Sequence, residues 1–399
     1  MRALLSAYAC EPGRGSEPEV GWQRALHMLS YANEVWVLTR ANNRAVIESD
    51  PLSNSKGLHF LYYDLPAWAL RLKKKAWFIY FYCILWQWGA YRLAARYHRD
   101  KPFDCVYHVT FASMQYGSFM GLLRVPLIVG PIAGGERAPL RLRRSMPLRG
   151  KASELLRDLG ILVQPYNPLA RIAFAAAKRI FVATPDSLRL IATKWRSKTS
   201  VHLAVATRDL AVHARTHCPP ASPRFVFAGN LLYLKGIHFA IRAMAITRTV
   251  IPDATLTIIG NGPAEQWLRK TATDCRLNSA IRFVGQIHRD LLIQSFEYYT
   301  ALLFPSLNDT GGMVVLEALS RGLPVISLNL GGPGIIVNNE CGILVPMEDA
   351  DEIQTVKGLA YAMITMARMP DSKYSRLVSG AIARANELSW TNLTAHIAE

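Results

Sequence analysis

The chain has 399 residues, 51% hydrophobic and 10% aromatic, enough for two or three domains of ~100–200 residues and too apolar for intrinsic disorder. Six scattered cysteines (Cys10, Cys83, Cys105, Cys218, Cys275, Cys341) form no CxxC pair and no zinc spacing; this excludes a disulfide scaffold and fits a reducing compartment. The net charge of +17 is uneven, with 29 Lys/Arg against 13 Asp/Glu in residues 1–207 and 17 against 16 in 208–399. A positive field confined to one half points to an anionic surface or substrate there, and no basic tract interleaved with stacking aromatics marks a nucleic-acid module.

In chain order, Arg2–Ala7 reads as a buried strand, followed by a Gly-rich loop and a helix over Pro18–Leu29. Met1–Ala9 is too short for a signal peptide, and Glu11 follows at once. Glu34–Leu38 and Leu58–Tyr63 are strands, and residues 66–99 are helical. The membrane candidate in this stretch, Ala76–Ala90, would make a helix ~22 Å long against ~30 Å of hydrocarbon. Being apolar on all faces, it predicts a buried helix. Phe103–Tyr107, Leu127–Gly130 and Arg179–Ala183 are strands, and the Pro-rich stretch Cys218–Pro223 reads as a linker. A second series follows. Its strands are Arg224–Ala228, Thr255–Ile259, Ile281–Val284, Ala301–Phe304, Pro324–Ser327 and Gly342–Val345, and its helices are Ile237–Arg248, Ala264–Thr273 and Met313–Ser320. Two βα series predict an α/β chain of two Rossmann-like, doubly wound domains, with ligands outside the carboxyl ends of the strands. The expected domains are 1–207 and 208–385, with a C-terminal helix over 386–399 packing back on the first.

The most informative segment is Leu303–Val337. A strand ends at Phe304, a loop carries Asp309, Gly311 and Gly312, and a helix opens at Met313. Adjacent glycines let backbone amides approach a ligand, and a helix N-terminus suits a phosphate. Asp309 and Glu317, about two turns apart, could face one ligand, and carboxylates accept well from vicinal hydroxyls. Spacing alone favours the plainer arrangement, an N-capping Asp309 and a solvated Glu317. Lys235, beside Gly236 on a post-strand loop, has the position of a phosphate contact, although a lone lysine there is usually solvated. In Cys10–Trp22, Gly13 and Gly15 form an anion-approach loop, with Ser16 as N-cap and Glu19 at N3. His108 is placed just past a strand's carboxyl end, as either a structural or a catalytic group. Glu136, in a Gly-Gly-Glu turn, could bind an acceptor or cap a helix.

These residues in order resemble the family-4 retaining glycosyltransferases of the GT-B fold. The resemblance rests on Cys10-Glu11-Pro12-Gly13-x-Gly15-Ser16-Glu17, Tyr107-His108-Val109-Thr110, Gly130-Pro131-x-x-Gly134-Gly135-Glu136, Lys235-Gly236, Gly260-x-Gly262-Pro263, Pro305-Ser306 and Glu317-Ala318. It implies two domains facing a cleft, a nucleotide-diphosphate sugar held mainly by the C-terminal domain, and a glycan or lipid-linked acceptor on the N-terminal one. By match, Glu317 would hold the ribose hydroxyls, Asp309 the transferred sugar and Lys235 the diphosphate, with the amides of Gly311, Gly312 and Met313 in support. His108 and Gly15 would meet the donor from the other domain, and Glu136 the acceptor. The family needs no metal ion and no other cofactor. In two places the chain departs from the family pattern: Asp309 replaces the first glutamate of an E-x7-E motif, and Asn230 replaces an arginine that meets the pyrophosphate. These departures motivate an alternative, a catalytically inactive nucleotide-sugar or glycan-binding protein, and a sugar-nucleotide epimerase of similar shape is a third reading. The basic first half, with Lys73–Lys75 and the cluster from Arg141 to Lys151, predicts a cytoplasmic protein peripheral on an anionic membrane.

Overall fold

The computed structural model describes residues 1–72, 78–207 and 222–398. Lys73–Lys75, the first two residues of the aromatic run and most of the Pro-rich linker, with the predicted boundary at 208, lie outside the described residues. The chain divides into two compact units: Met1–Gly135 with Leu159–Val205 and the C-terminal residues from Trp390, and Glu136–Asp158 with Ala206–Ser389. The division is thus not a single break at 207, because Glu136–Asp158 groups with the second half of the chain.

The first half runs β1 (Arg2–Ala7), α1 (Ser16–Met28), β2 (Glu34–Arg40), α2 (Arg44–Ser49), β3 (Leu58–Tyr63), α3 (Ala67–Leu72), α4 (Ile79–Asp100), β4 (Cys105–Thr110), β5 (Leu127–Ile132), α5 (Leu148–Val163), α6 (Pro168–Ala176), β6 (Ala177–Val182), α7 (Pro185–Leu190) and β7 (Thr199–Val201). Its seven strands lie in the order β3-β2-β1-β4-β5-β6-β7, all parallel, with Leu5 opposite both Val37 and Tyr107. Every residue of β4 is buried, as expected of a strand covered on both faces.

The second half runs β8 (Arg224–Ala228), α8 (Ile237–Val250), β9 (Thr255–Ile259), α9 (Glu265–Asp274), β10 (Ile281–Gly285), α10 (Arg289–Ser295), β11 (Ala301–Phe304), α11 (Met313–Ser320), β12 (Val325–Leu328), α12 (Gly331–Ile336), β13 (Gly342–Val345), α13 (Glu352–Ala367), α14 (Asp371–Glu387) and α15 (Trp390–Ala398). Its parallel sheet has the order β10-β9-β8-β11-β12-β13. Both units are therefore doubly wound α/β folds, and strand order reverses between β1 and β4 in one and between β8 and β11 in the other. α15 belongs to the first unit and packs on α1. There Arg24 lies over the Trp390 ring at 5.1 Å and donates to Thr394 Oγ1 at 3.4 Å.

The aromatic run is not buried on all faces. In α4, Tyr82, Cys83, Trp86 and Ala90 face the core, while Phe81, Leu85 and Trp88 are exposed along the opposite side. Among the described residues, no helix is long and apolar enough to cross a membrane.

Candidate active site

In the second unit the chemistry gathers at the carboxyl ends of β8 and β11, the switch point where a doubly wound sheet opens a crevice. After β8 the chain passes Gly229 (φ +148°) and a turn over Tyr233–Lys235 to Gly236 (φ +64°). A Cβ on Gly236 would lie 2.0 Å from the carbonyl oxygen of Pro305, so only glycine brings the Lys235 loop this close to the loop after β11. The amide of Leu307 donates to Leu234 O at 2.9 Å and ties the two loops together.

Asp309 is the centre of the second loop. Its Oδ1 accepts from the amides of Gly311 at 3.0 Å and Gly312 at 2.8 Å, and its Oδ2 is paired with Lys235 Nζ. Gly332 donates to its carbonyl oxygen at 2.8 Å. Asp309 thus organises the turn ahead of α11 and is not its N-cap, which is Gly312 at φ +59°. Lys235 is not a lone solvated lysine, since its side chain and that of Asp309 are only 16% and 15% exposed. The expected support of a ligand by the amides of Gly311 and Gly312 meets a competitor, because both amides are turned to Asp309. Met313 opens α11, and its amide is one of the first four that a helix leaves without an internal partner.

Glu317, on α11, is not solvated. Its Oε1 accepts from Arg289 Nε at 2.6 Å, and its side chain is 13% exposed. Sequence reasoning missed Arg289. No spacing rule links it to Glu317, and only the fold brings the start of α10 against α11.

Glu136 also falls in this unit, nearly fully buried. Its carbonyl accepts from Asn308 Nδ2 at 2.8 Å and its Oε2 from Thr310 Oγ1 at 2.9 Å. It braces the residues on either side of Asp309, a role its turn motif did not suggest.

In the first unit, Gly15 (φ +73°) is the N-cap of α1 and Ser16 its first residue, so the predicted cap is displaced by one position. Glu19 Oε2 accepts from Gly13 N at 2.9 Å and closes the loop, and a Cβ on Gly15 would meet nothing within 4 Å. His108 lies inside β4 and not past its end. It is fully buried, Nδ1 is 3.1 Å from Ser6 Oγ, and Nε2 has no hydrogen-bond partner among the described residues. Burial lowers its pKa to about 4, so it is neutral at physiological pH. The switch point of this sheet holds a cleft of about 170 Å³ lined by Tyr8, Glu11, Arg14, Glu17, Arg40 and Asn43 among others. Glu17 Oε1 accepts from the amide of Phe111 at 3.2 Å, and burial raises its pKa. Sequence reasoning singled out none of Tyr8, Arg40 and Asn43, which carry no motif and meet only through the sheet order.

Residues 213–360 match the family model of glycosyl transferases group 1, so the Lys235–Asp309 and Arg289–Glu317 pairs both lie within the match. Over 175 residues the chain is 30% identical to a glycogen synthase of Mycobacterium tuberculosis, covering 44% of this chain and 41% of that protein. Over 226 residues it is 28% identical to a D-inositol 3-phosphate glycosyltransferase of Jonesia denitrificans, covering 53% of this chain and 50% of that one. The chain therefore spans about half the length of the curated relatives it matches. Its fold is that of the Anabaena protein Alr3699/HepE, solved in complex with UDP and glucose, at a TM-score of 0.61 with 16% identity over 100% of this chain and 98% of that one.

Proposed function

We propose that the chain is a retaining, metal-independent glycosyltransferase that moves a sugar from a nucleotide-diphosphate sugar to a glycan or lipid-linked acceptor. The observation that carries this reading is the pair of carboxylate–cation couples, Lys235–Asp309 and Arg289–Glu317, whose carboxylates lie on the loop and the helix that follow β11, within the segment that matches the group 1 model. Each couple offers both halves of what such a donor needs. Carboxylates accept from vicinal hydroxyls, and cations meet phosphate oxygens.

In this mechanism Glu317 holds the ribose hydroxyls and Lys235 the diphosphate. Arg289 supplies the positive charge that Asn230 does not, and Asp309 together with the Met313 amide faces the transferred sugar. The bond between the anomeric carbon and the phosphate oxygen breaks through an oxocarbenium-like state. The acceptor oxygen bonds to that carbon on the same face, and its proton passes to the departing phosphate, so configuration is retained. His108, neutral at working pH, contributes hydrogen bonding and no acid chemistry. Glu136 acts by bracing the Asp309 loop in place of the acceptor contact that its motif suggested. Cys10, Cys105, Cys275 and Cys341, which form no disulfide among the described residues, suit work in the cytoplasm.

A panel of UDP-, GDP- and ADP-sugars in a thermal-shift assay tests this reading, because a donor at ~100 times its Kd stabilises by ~2.7 kcal/mol. No shift with any of them would overturn it. A second reading, an inactive sugar-nucleotide binder, has one observation in its favour: Lys235 and two amides already engage the Asp309 carboxylate. It predicts a shift without turnover.

A further inference from the structure

The helix α5 is built inside out. A surface helix ordinarily turns its apolar stripe to the core and its charges to water. Here Leu148, Leu155, Leu159 and Leu162 fall within a sector of about 60° around the helix axis, Leu156 and Val163 adjoin it, and all six are 52–83% exposed. Tyr166, in the turn that follows, is 75% exposed. The acidic residues of the helix are both engaged away from water. Glu154 is buried, and Asp158 is held by Arg143 at 2.7 Å. The cations stay outside: Arg144, Arg149 and Lys151 are exposed, the last two on either edge of the leucine stripe. Residues 137–163 carry seven Lys/Arg and two Asp/Glu.

We infer that α5 is an interfacial membrane-docking helix whose leucine face enters an anionic lipid surface while Arg149 and Lys151 meet the headgroups. Exposed apolar stripes of this extent mark contact surfaces. A stripe edged by cations, with Tyr166 at its end, has the pattern of a helix lying in a lipid interface. Charge complementarity selects lipid over a second copy of this chain. A symmetric dimer through this face would set cationic edges against cationic edges, with Glu154 buried and Asp158 already held by Arg143. The inference does not rest on the proposed donor chemistry, and its test reads binding alone.

The test is co-sedimentation of the whole protein with vesicles of pure phosphatidylcholine and of phosphatidylcholine with phosphatidylglycerol. The wild type is expected to bind the anionic vesicles, less as salt rises, and the neutral ones at least about tenfold more weakly. Leu155→Glu/Leu159→Glu, at exposed positions that leave the core intact, should lose at least about tenfold in affinity. Arg149→Gln/Lys151→Gln should lose severalfold and flatten the salt dependence. Ile353→Glu/Tyr361→Glu, at exposed positions on α13, should bind as the wild type. Equal or absent wild-type binding to both vesicles, or undiminished binding by the leucine variant, overturns the inference. So does a wild-type dimer in solution that the leucine variant converts to monomer, since it assigns the face to a second copy.

Discussion

Lys235→Ala is the sharpest perturbation of the candidate site. Among the described residues the Asp309 carboxylate has three partners, the amides of Gly311 and Gly312 and the Lys235 ammonium. Truncation leaves the two amides in place and strands a carboxylate that is 15% exposed beside the proposed position of a diphosphate. The loss of one charge-assisted contact costs ~1.5–3 kcal/mol, about 10- to 150-fold in Kd for a nucleoside diphosphate. Adding Asp309→Asn removes the stranded charge while its side-chain oxygen still accepts from both amides, so the double variant should recover about tenfold of that loss. Titration calorimetry with the nucleoside diphosphate of the stabilising donor reads both effects, and the bare nucleoside serves as control. Unchanged diphosphate affinity in Lys235→Ala, or an equal loss for the nucleoside, would remove Lys235 from the diphosphate site.

Arg289→Ala should weaken nucleoside-diphosphate binding about tenfold while Arg289→Lys retains most of it; Glu317→Ala should also weaken the bare nucleoside, and calorimetry on the three variants separates charge from ribose recognition. Gly236→Ala forces a Cβ to within 2.0 Å of Pro305 O at φ +64° and should destabilise by about 1–3 kcal/mol, seen as a lower thermal midpoint. Burial lowers the pKa of His108 to about 4 and that of His238, also depressed by Arg242, to about 3. Unfolded histidines take up a proton below about 6.5, so stability should fall as pH drops from 6.5 towards 4 and be unaffected by these groups above 6.5, with about 3 kcal/mol from His108 by pH 4. His238 packs against Phe239 and Trp267, with neither ring nitrogen hydrogen-bonded among the described residues, so His238→Phe should flatten that dependence in urea unfolding, and an unaltered slope would contradict its assignment.

Most of the fold was legible because parallel strands buried on both faces read as short apolar runs. Arg2–Ala7, Leu58–Tyr63, Arg224–Ala228, Thr255–Ile259, Ala301–Phe304 and Gly342–Val345 are strands with the predicted bounds. β7 was not seen, since Thr-Ser-Val at a sheet edge, mostly exposed, carries no apolar signal. β4 was placed two residues early, which put His108 outside a strand that in fact contains it. Periodicity also misread α4, where all-round apolarity argued burial and Phe81, Leu85 and Trp88 are exposed. Within the candidate site, Lys235, Asp309 and Glu317 stood out from glycines and strand ends. Their partners did not, because Arg289 meets Glu317, and Glu136 meets Thr310, across long stretches of chain that only the fold closes.

The proposed chemistry is sugar transfer at the Lys235–Asp309 and Arg289–Glu317 couples without a metal ion. Its decisive measurement is nucleoside-diphosphate release from the stabilising sugar nucleotide, in excess chelator, for the wild type and for Glu317→Ala. Release by the wild type should be unchanged by chelator and lowered by at least about tenfold in Glu317→Ala. Release that vanishes in chelator and returns with Mg²⁺ would overturn this chemistry, as would tight binding of the sugar nucleotide with no release at all.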